Sequence, residues 1–214
     1  MRLYGYYRSS ASYRVRIILN FKGLAWEYVP VMLNRAEHRS AAFRAINPMG
    51  FVPVLVDGDA KLSQSPAIAE YLEERYPSPA LLPAEPVRRA EVREIQNLIG
   101  CDIHPLQNLR VLQHLKKEYG RDDAAAAAWC RHWIGAGFDA IETVAQARSA
   151  AGRFCVGDRP SLADAWLLPQ LYNARRFELD LAPWPTLVGI GRHCETIDAF
   201  AAAHPARQPD APAN

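Results

Sequence analysis

"RLYGYYRSSASYRVRIILNFKG" runs from Arg2 to Gly23, and the change of texture inside it decides how the first third of the chain is built. The opening residues are aromatic and apolar, the make-up of a short strand. Further on, Val15, Ile18 and Leu19 recur at helical spacing, and Gly23 is a natural stop. A strand therefore hands over to a helix, across Arg8, Ser9, Ser10, Ala11 and Ser12. Hydroxyls there have a plain reading: Ser10 or Ser12 is the N-cap, and Arg8, Arg14 and Arg16 form a solvated face. They also have a chemical reading. Free N–H groups and the helix dipole point out of a helix start. With arginines added, the place suits an anion, or a thiol that must become one.

Outward from this stretch the pattern continues. "WEYVPVM" (26–32) reads as a second strand and "RAEHRSAAFRAI" (35–46) as a short helix that stops before Asn47-Pro48. "VPVLVDGDAKLSQS" (52–65) is a hairpin turning at Asp57-Gly58-Asp59. "SPAIAEYLEERY" (65–76) is a helix with Ser65 as N-cap and Pro66 at its first position. The order β-α-β-α-β-β-α is that of a thioredoxin-like α/β sheet. "PSPALLPAEP" (77–86) carries four prolines in ten residues and reads as a linker.

Beyond it nothing reads as strand. Residues 87–120 give one long amphipathic pattern that Pro105 kinks. Asp122 and Asp123 cap an alanine-rich helix whose face is Trp129, Trp133 and Phe138. Ser161 and Asp164 form a capping box. The segment 185–204 is the last clear helix, and the proline-rich tail after it reads as irregular. The expected organisation is a thioredoxin-like domain over 1–80, a linker over 77–86 and an all-α helical bundle over 87–214.

Composition narrows the function. Half of the 214 residues are hydrophobic and 22% are charged, and the formal net charge is +2. Nothing in that marks a general nucleic-acid binder, and the balance is ordinary for a soluble globular protein. No apolar run reaches membrane-span length, so a cytoplasmic location with no membrane partner is expected. Cys101, Cys130, Cys155 and Cys194 are scattered without CxxC spacing, and no HExxH occurs. Reduced cysteines and no metal are expected. "GIGRHC" (189–194) lacks the third glycine of a dinucleotide loop.

A second site begins at Val52-Pro53. A cis bond there would turn the backbone of Val52 outward, free to pair with a peptide ligand. Gln64-Ser65-Pro66 then starts a helix, where free N–H groups and the Ser65 hydroxyl suit a carboxylate. One helix start for a thiolate and one for a carboxylate suggest a ligand bearing both, as glutathione does. A thioredoxin places its redox cysteines where this chain has serine and alanine, so any thiolate is borrowed.

With "RSSASYRVRIIL", "NPMGFVPVL", "QSPAIAEYLEERYP", "HPLQNLRVL", "VGDRPSLADAWLLPQLYNARRFELDL" and "HPARQPD", the chain resembles the zeta class of glutathione transferases. That class includes maleylacetoacetate and maleylpyruvate isomerases. The resemblance implies that Ser9 holds the glutathione sulfur as thiolate, assisted by Ser10. It implies glutathione contacts along Ala11, Ser12, Tyr13 and Arg14. Val52 and Pro53 would pair with the cysteinyl part, Gln64 and Ser65 would hold the γ-glutamyl carboxylate, and His38 would sit near the glycine end. His104 stands where many members have Gln, and Asn108, Leu109 and Arg110 follow on the same helix. Arg8 and Arg176 would hold substrate carboxylates, a task suited to guanidinium forks. Eukaryotic members usually have Cys where this chain has Ala11. Arg176 also has the plain reading of a surface ion pair, and His104 that of a satisfied helix histidine.

The implied activity is glutathione-dependent cis–trans isomerisation of a maleyl-type dicarboxylate, first of all maleylacetoacetate to fumarylacetoacetate. Maleylpyruvate isomerisation, general glutathione transfer and haloacid dehalogenation are the enzymatic alternatives; a binding protein without turnover is the non-enzymatic one. A homodimer is also implied.

Overall fold

The computed structural model describes residues 1–212. The chain divides into two compact units. One comprises Met1–Leu81 together with the residues from Ile197 onward; the other is Leu82–Thr196.

In the first unit, β1 (Arg2–Gly5) is central, parallel to β2 (Glu27–Pro30) and antiparallel to β3 (Val54–Asp57). β3 turns through Gly58-Asp59 into β4 (Ala60–Ser63), giving the order β2-β1-β3-β4. This is the expected thioredoxin-like sheet. Alternation sorts its side chains. Tyr4, Val54 and Val56 join Val31 and Phe43 in one cluster, while Leu3 and Leu55 are fully buried at the intervening positions. Each such buried Leu contributes about 1.5–3 kcal/mol. α1 (Ser10–Phe21) and α3 (Ser65–Arg75) pack against each other. The expected helix at 35–46 is interrupted: Ala36 adopts a left-handed φ of 58°, and Ser40 starts a new single turn, α2 (Ala41–Arg44), by accepting from the Phe43 N–H.

Lys22 and Glu73 form a buried ion pair at 2.7 Å. The Lys22 ammonium also donates to the carbonyls of Tyr76 and Pro79, and Glu73 accepts from the Leu81 N–H. The start of the proline-rich stretch is thus bound to the unit. Val52-Pro53 and Ser78-Pro79 are cis.

The tail belongs with this unit, which corrects its assignment to the helical domain. The expected last helix breaks at Thr196-Ile197 into α8 (Pro185–Glu195) and α9 (Asp198–Ala202). α9 packs on α1, with Phe200 edge-on to Phe21 at 6.4 Å. The residues after it are anchored by side-chain bonds: Arg16 Nε donates to the Ala203 carbonyl at 3.0 Å, and the Asp210 carboxylate accepts from the Tyr7 N–H at 2.9 Å.

The second unit is helical. α4 (Pro86–Asn97) widens into a π-helical stretch, Leu98–Ile103, then tightens into a 3-10 turn, His104–Gln107. Asn108 leaves helical geometry at ψ 144°, and its side chain caps α5 (Leu109–Tyr119) by accepting from the Arg110 N–H. Pro105 supplies no N–H to continue the helix, so the pattern read as one kinked helix is two. α6 (Asp123–Arg148) is capped by Asp122 and buries Ala126, Cys130, Ile134, Phe138 and Ile141. α7 (Leu162–Arg176) is buried along nearly its whole length. Its capping box is present: Asp164 accepts from the Ser161 N–H and hydroxyl and from the Cys155 N–H. Burial raises the Asp164 carboxyl above the usual range, and those bonds oppose the shift. Among the described residues no helix is long and apolar enough to cross a membrane.

Candidate active site

The N-cap of α1 is Ser9, and neither Ser10 nor Ser12 takes that place. Ser9 has extended backbone, φ −69° and ψ 116°, and its hydroxyl accepts from the Ser12 N–H at 3.2 Å. A cap needs that non-helical geometry, and Ser10 is already inside the helix. A hydroxyl accepts and donates at once. Ser9 Oγ therefore keeps its own proton for a ligand while it caps the helix. Ser9 is half-buried; Ser10, Ala11, Ser12 and Tyr13 are buried behind it, and Arg8 is exposed in front.

The second helix start is likewise displaced by one residue. Gln64 precedes α3 with φ 72° and ψ 114° and makes no side-chain cap bond, while Ser65 is already helical. A positive φ in a non-glycine residue is held only where the surroundings enforce it, and such residues gather at ligand sites. The two starts are tied together by Arg14. Arg14 is 1% exposed, and its guanidinium donates to Ser65 Oγ at 3.3 Å. The solvated-face reading fails for Arg14 and for Arg16, which is 0% exposed. The Arg14–Ser65 bond places a buried guanidinium at the N-terminus of α3, where the free N–H groups and the helix dipole themselves favour an anion.

Val52 lies just ahead of the β3 ladder, whose pairing begins at Val54 opposite Tyr4 and Ser63. Its backbone and that of Pro53 thus sit outside the strand pairing. His38 lies in a 3-10 turn, Glu37–Arg39, and is 9% exposed. Burial, then Arg39 and Arg44, lowers its pKa below the usual histidine value. Gly50 closes over it with φ 65°; a Cβ there would come 2.7 Å from the His38 carbonyl oxygen.

The other candidates belong to the helical unit. His104 is in the 3-10 turn, Asn108 is the cap of α5, and Leu109 and Arg110 begin that helix, so the four are not on one helix as expected. Arg176 ends α7, exposed, its guanidinium 4.4 Å from the centre of the Phe177 ring. Arg175 pairs with Glu195 at 2.9 Å, the plain role considered for its neighbour. Burial pushes the Cys130 thiol up to about 11, against a downward pull from Arg176, and raises Cys155 and Cys194 further. These three thiols are poor nucleophiles.

The family model for the glutathione S-transferase N-terminal domain matches residues 3–80. The maleylacetoacetate isomerase of Pseudomonas aeruginosa is 50% identical over 216 residues, covering 100% of this chain and 100% of that protein. A solved maleyl pyruvate isomerase, described as a bacterial glutathione-S-transferase of the zeta class, matches with TM-score 0.97 and 49% identity over 99% of this chain and 100% of its own. The chain belongs to the zeta class of glutathione transferases. A maleylacetoacetate isomerase structure from Methylobacterium extorquens AM1, with bound malonate and GSH, matches at TM-score 0.96 and 41% identity, 100% of each chain covered.

Within this glutathione transferase, the sequence named Arg14 as a contact but gave no sign of its burial. Two charged residues at i and i+2 on a helix read as polar by composition. Tertiary partners, Ser65 for Arg14 and Ala203 and Tyr7 for Arg16, account for their burial.

Proposed function

We propose that this zeta-class transferase isomerises a maleyl-type dicarboxylate, first of all maleylacetoacetate to fumarylacetoacetate, using glutathione as a cofactor that is returned unchanged. The observation that carries the reading is the pair of helix starts in one unit: Ser9 heading α1, Gln64 and Ser65 heading α3, with Arg14 of α1 bonded to Ser65. The donor set fits glutathione. One start offers a free hydroxyl proton to a sulfur, and the other offers N–H groups and Ser65 Oγ to a carboxylate. A relative solved with both GSH and malonate supports the same pairing of thiol and dicarboxylate.

Glutathione when bound would supply a thiolate that adds reversibly to the double bond, leaving a single bond free to rotate. The protein supplies the rest. Ser9 Oγ donates to the sulfur and, with the helix dipole, lowers its pKa. Ser10, behind it, keeps the first turn in place, and Ala11, Ser12 and Tyr13 form its buried backing. Val52 pairs backbone to backbone with the cysteinyl part and Pro53 shapes that approach; Gln64, Ser65 and Arg14 hold the γ-glutamyl carboxylate. His38, His104, Asn108, Leu109 and Arg110 are assigned to the remaining glutathione contacts. Arg8 and Arg176 hold substrate carboxylates by paired N–H bonds.

The test supplies maleylacetoacetate and maleylpyruvate with catalytic glutathione and follows the trans products. Turnover of either without consumption of glutathione is expected. No turnover of both, with good conjugation of haloaromatics, would replace this reading by general transfer. A homodimer and a cytoplasmic location belong to the same proposal, in keeping with the family and with four free cysteines; sedimentation velocity tests the first.

A further inference from the structure

The loop between β1 and α1 carries both Arg8 and Ser9, and a loop has no ladder to pair its backbone. At Tyr7 both backbone groups are nevertheless taken, each by a charged side chain. The N–H donates to Asp210 Oδ2 at 2.9 Å, and the carbonyl accepts from Arg16 Nη2 at 3.0 Å. Charge-assisted bonds of this kind are the strong ones. Both grips come from outside the loop. Asp210 lies in the tail, 203 positions away in sequence. Arg16 lies on α1 and holds the tail as well, through Nε on the Ala203 carbonyl at 3.0 Å. The tail is kept folded by Gln208, whose side-chain amide donates to the carbonyls of Ala202 and His204 at 3.1 and 3.0 Å. Asp210 also accepts from the Tyr28 hydroxyl on β2 at 3.2 Å. One peptide unit on either side of Tyr7 is therefore pinned against the sheet, the helix and the tail, and Arg8 and Ser9 follow immediately.

We propose that the tail is a clamp on the active-site loop and that Asp210 is a positioning residue, setting Arg8 and Ser9 through its bond to the Tyr7 N–H. Nothing in this role requires Asp210 to touch glutathione or substrate. It acts by removing freedom from the two residues that do under the proposed isomerase reading, on which its kinetic part rests. Catalytic groups displaced by as little as 1 Å can lose about a hundredfold in rate.

The experiment compares Asp210→Ala, Asp210→Asn, Tyr28→Phe and Asn20→Ala in the full chain. Asn20 Nδ2 donates to the Ala199 carbonyl at 3.2 Å, so Asn20→Ala loosens the tail without touching Tyr7. Asp210→Ala is expected to expose the Tyr7 amide to hydrogen exchange and to lower kcat/KM by about 10- to 100-fold. Glutathione affinity by calorimetry should change less than about threefold, since the α3 start is untouched. Asp210→Asn keeps an acceptor for Tyr7 and should restore most of the rate; Tyr28→Phe should leave the rate near that of the parent chain. Asn20→Ala should lower thermal stability with the Tyr7 amide still protected and kcat/KM within about twofold. The clamp is overturned if the Tyr7 amide stays protected in Asp210→Ala, or if Asn20→Ala loses as much rate as Asp210→Ala at equal stability. Should the chain turn over neither isomer, that would count against the isomerase reading alone, because amide exchange and thiolate absorbance of bound glutathione still decide the clamp.

Discussion

Replacing Ser9 separates the cap its hydroxyl makes from the thiolate contact proposed for it. Its oxygen caps α1 by accepting from the Ser12 N–H at 3.2 Å, and its proton is the one proposed to meet the glutathione sulfur. Loss of a serine cap to alanine costs about 1 kcal/mol, and to glycine only a few tenths. Aspartate caps as well as serine does. In a chain of 214 residues, 1 kcal/mol lowers Tm by about 2–4 °C. A hydrogen bond to a charged group contributes about 1.5–3 kcal/mol, which is about 10- to 150-fold in rate. Ser9→Ala is therefore expected to lose both stability and turnover. Ser9→Gly should lose turnover to the same degree with almost no change in Tm. Ser9→Asp should retain Tm and be the least active of the three, because a second negative charge faces the thiolate. Scanning calorimetry gives Tm. The ultraviolet absorbance of the thiolate against pH gives the bound thiol, which should titrate about 1–2 pH units higher in Ser9→Gly than in the parent chain. If Ser9→Gly turns over within twofold of the parent and its bound thiol titrates unchanged, Ser9 is a cap and nothing more.

At the second helix start, Gln64→Gly removes the side chain while suiting a φ of 72°, so stability should hold or rise while glutathione affinity, read by calorimetry, falls about tenfold. Burial holds His38 below the ordinary histidine pKa, so between the two values the unfolded chain binds the extra proton. Its contribution is present above about pH 6.5 and is lost as pH falls through the depressed folded value; denaturant titrations should find a shallower acid slope in His38→Gln than in the parent chain. Arg176→Ala should raise the substrate KM about tenfold or more with glutathione affinity nearly intact; equal loss of both would mark a folding defect.

The strand and helix order of the first eighty residues was legible because each element switches period cleanly and each turn carries its own chemistry, as at Gly58 with φ 58°. The start of α3 was legible to within one residue, and that of α1 to within one or three, since Ser10 and Ser12 were both open. Both true caps, Ser9 and Gln64, precede the serines that propensity favours, because cap position depends on backbone angles. The break at Asn108 was hidden by side chains that stay amphipathic across it. The burial of Arg14 and Arg16 was invisible: each is matched by a partner at least 51 positions away, and no local pattern encodes that distance. The tail escaped for a related reason. Its anchors are single bonds from Gln208 and Asp210 to backbone groups, which leave no periodic trace.

That tail gives the α/β unit an unusual order of manufacture. The unit is assembled from two separate segments, Met1–Leu81 and the residues from Ile197 onward, with Leu82–Thr196 made in between. A ribosome adding about 5–20 residues per second needs on the order of ten seconds to travel from Leu81 to Asp210. Throughout that interval the nascent sheet and α1 exist without the carboxylate that grips Tyr7. The helical unit can fold first, and the loop that holds Tyr7 is set only once Asp210 has emerged.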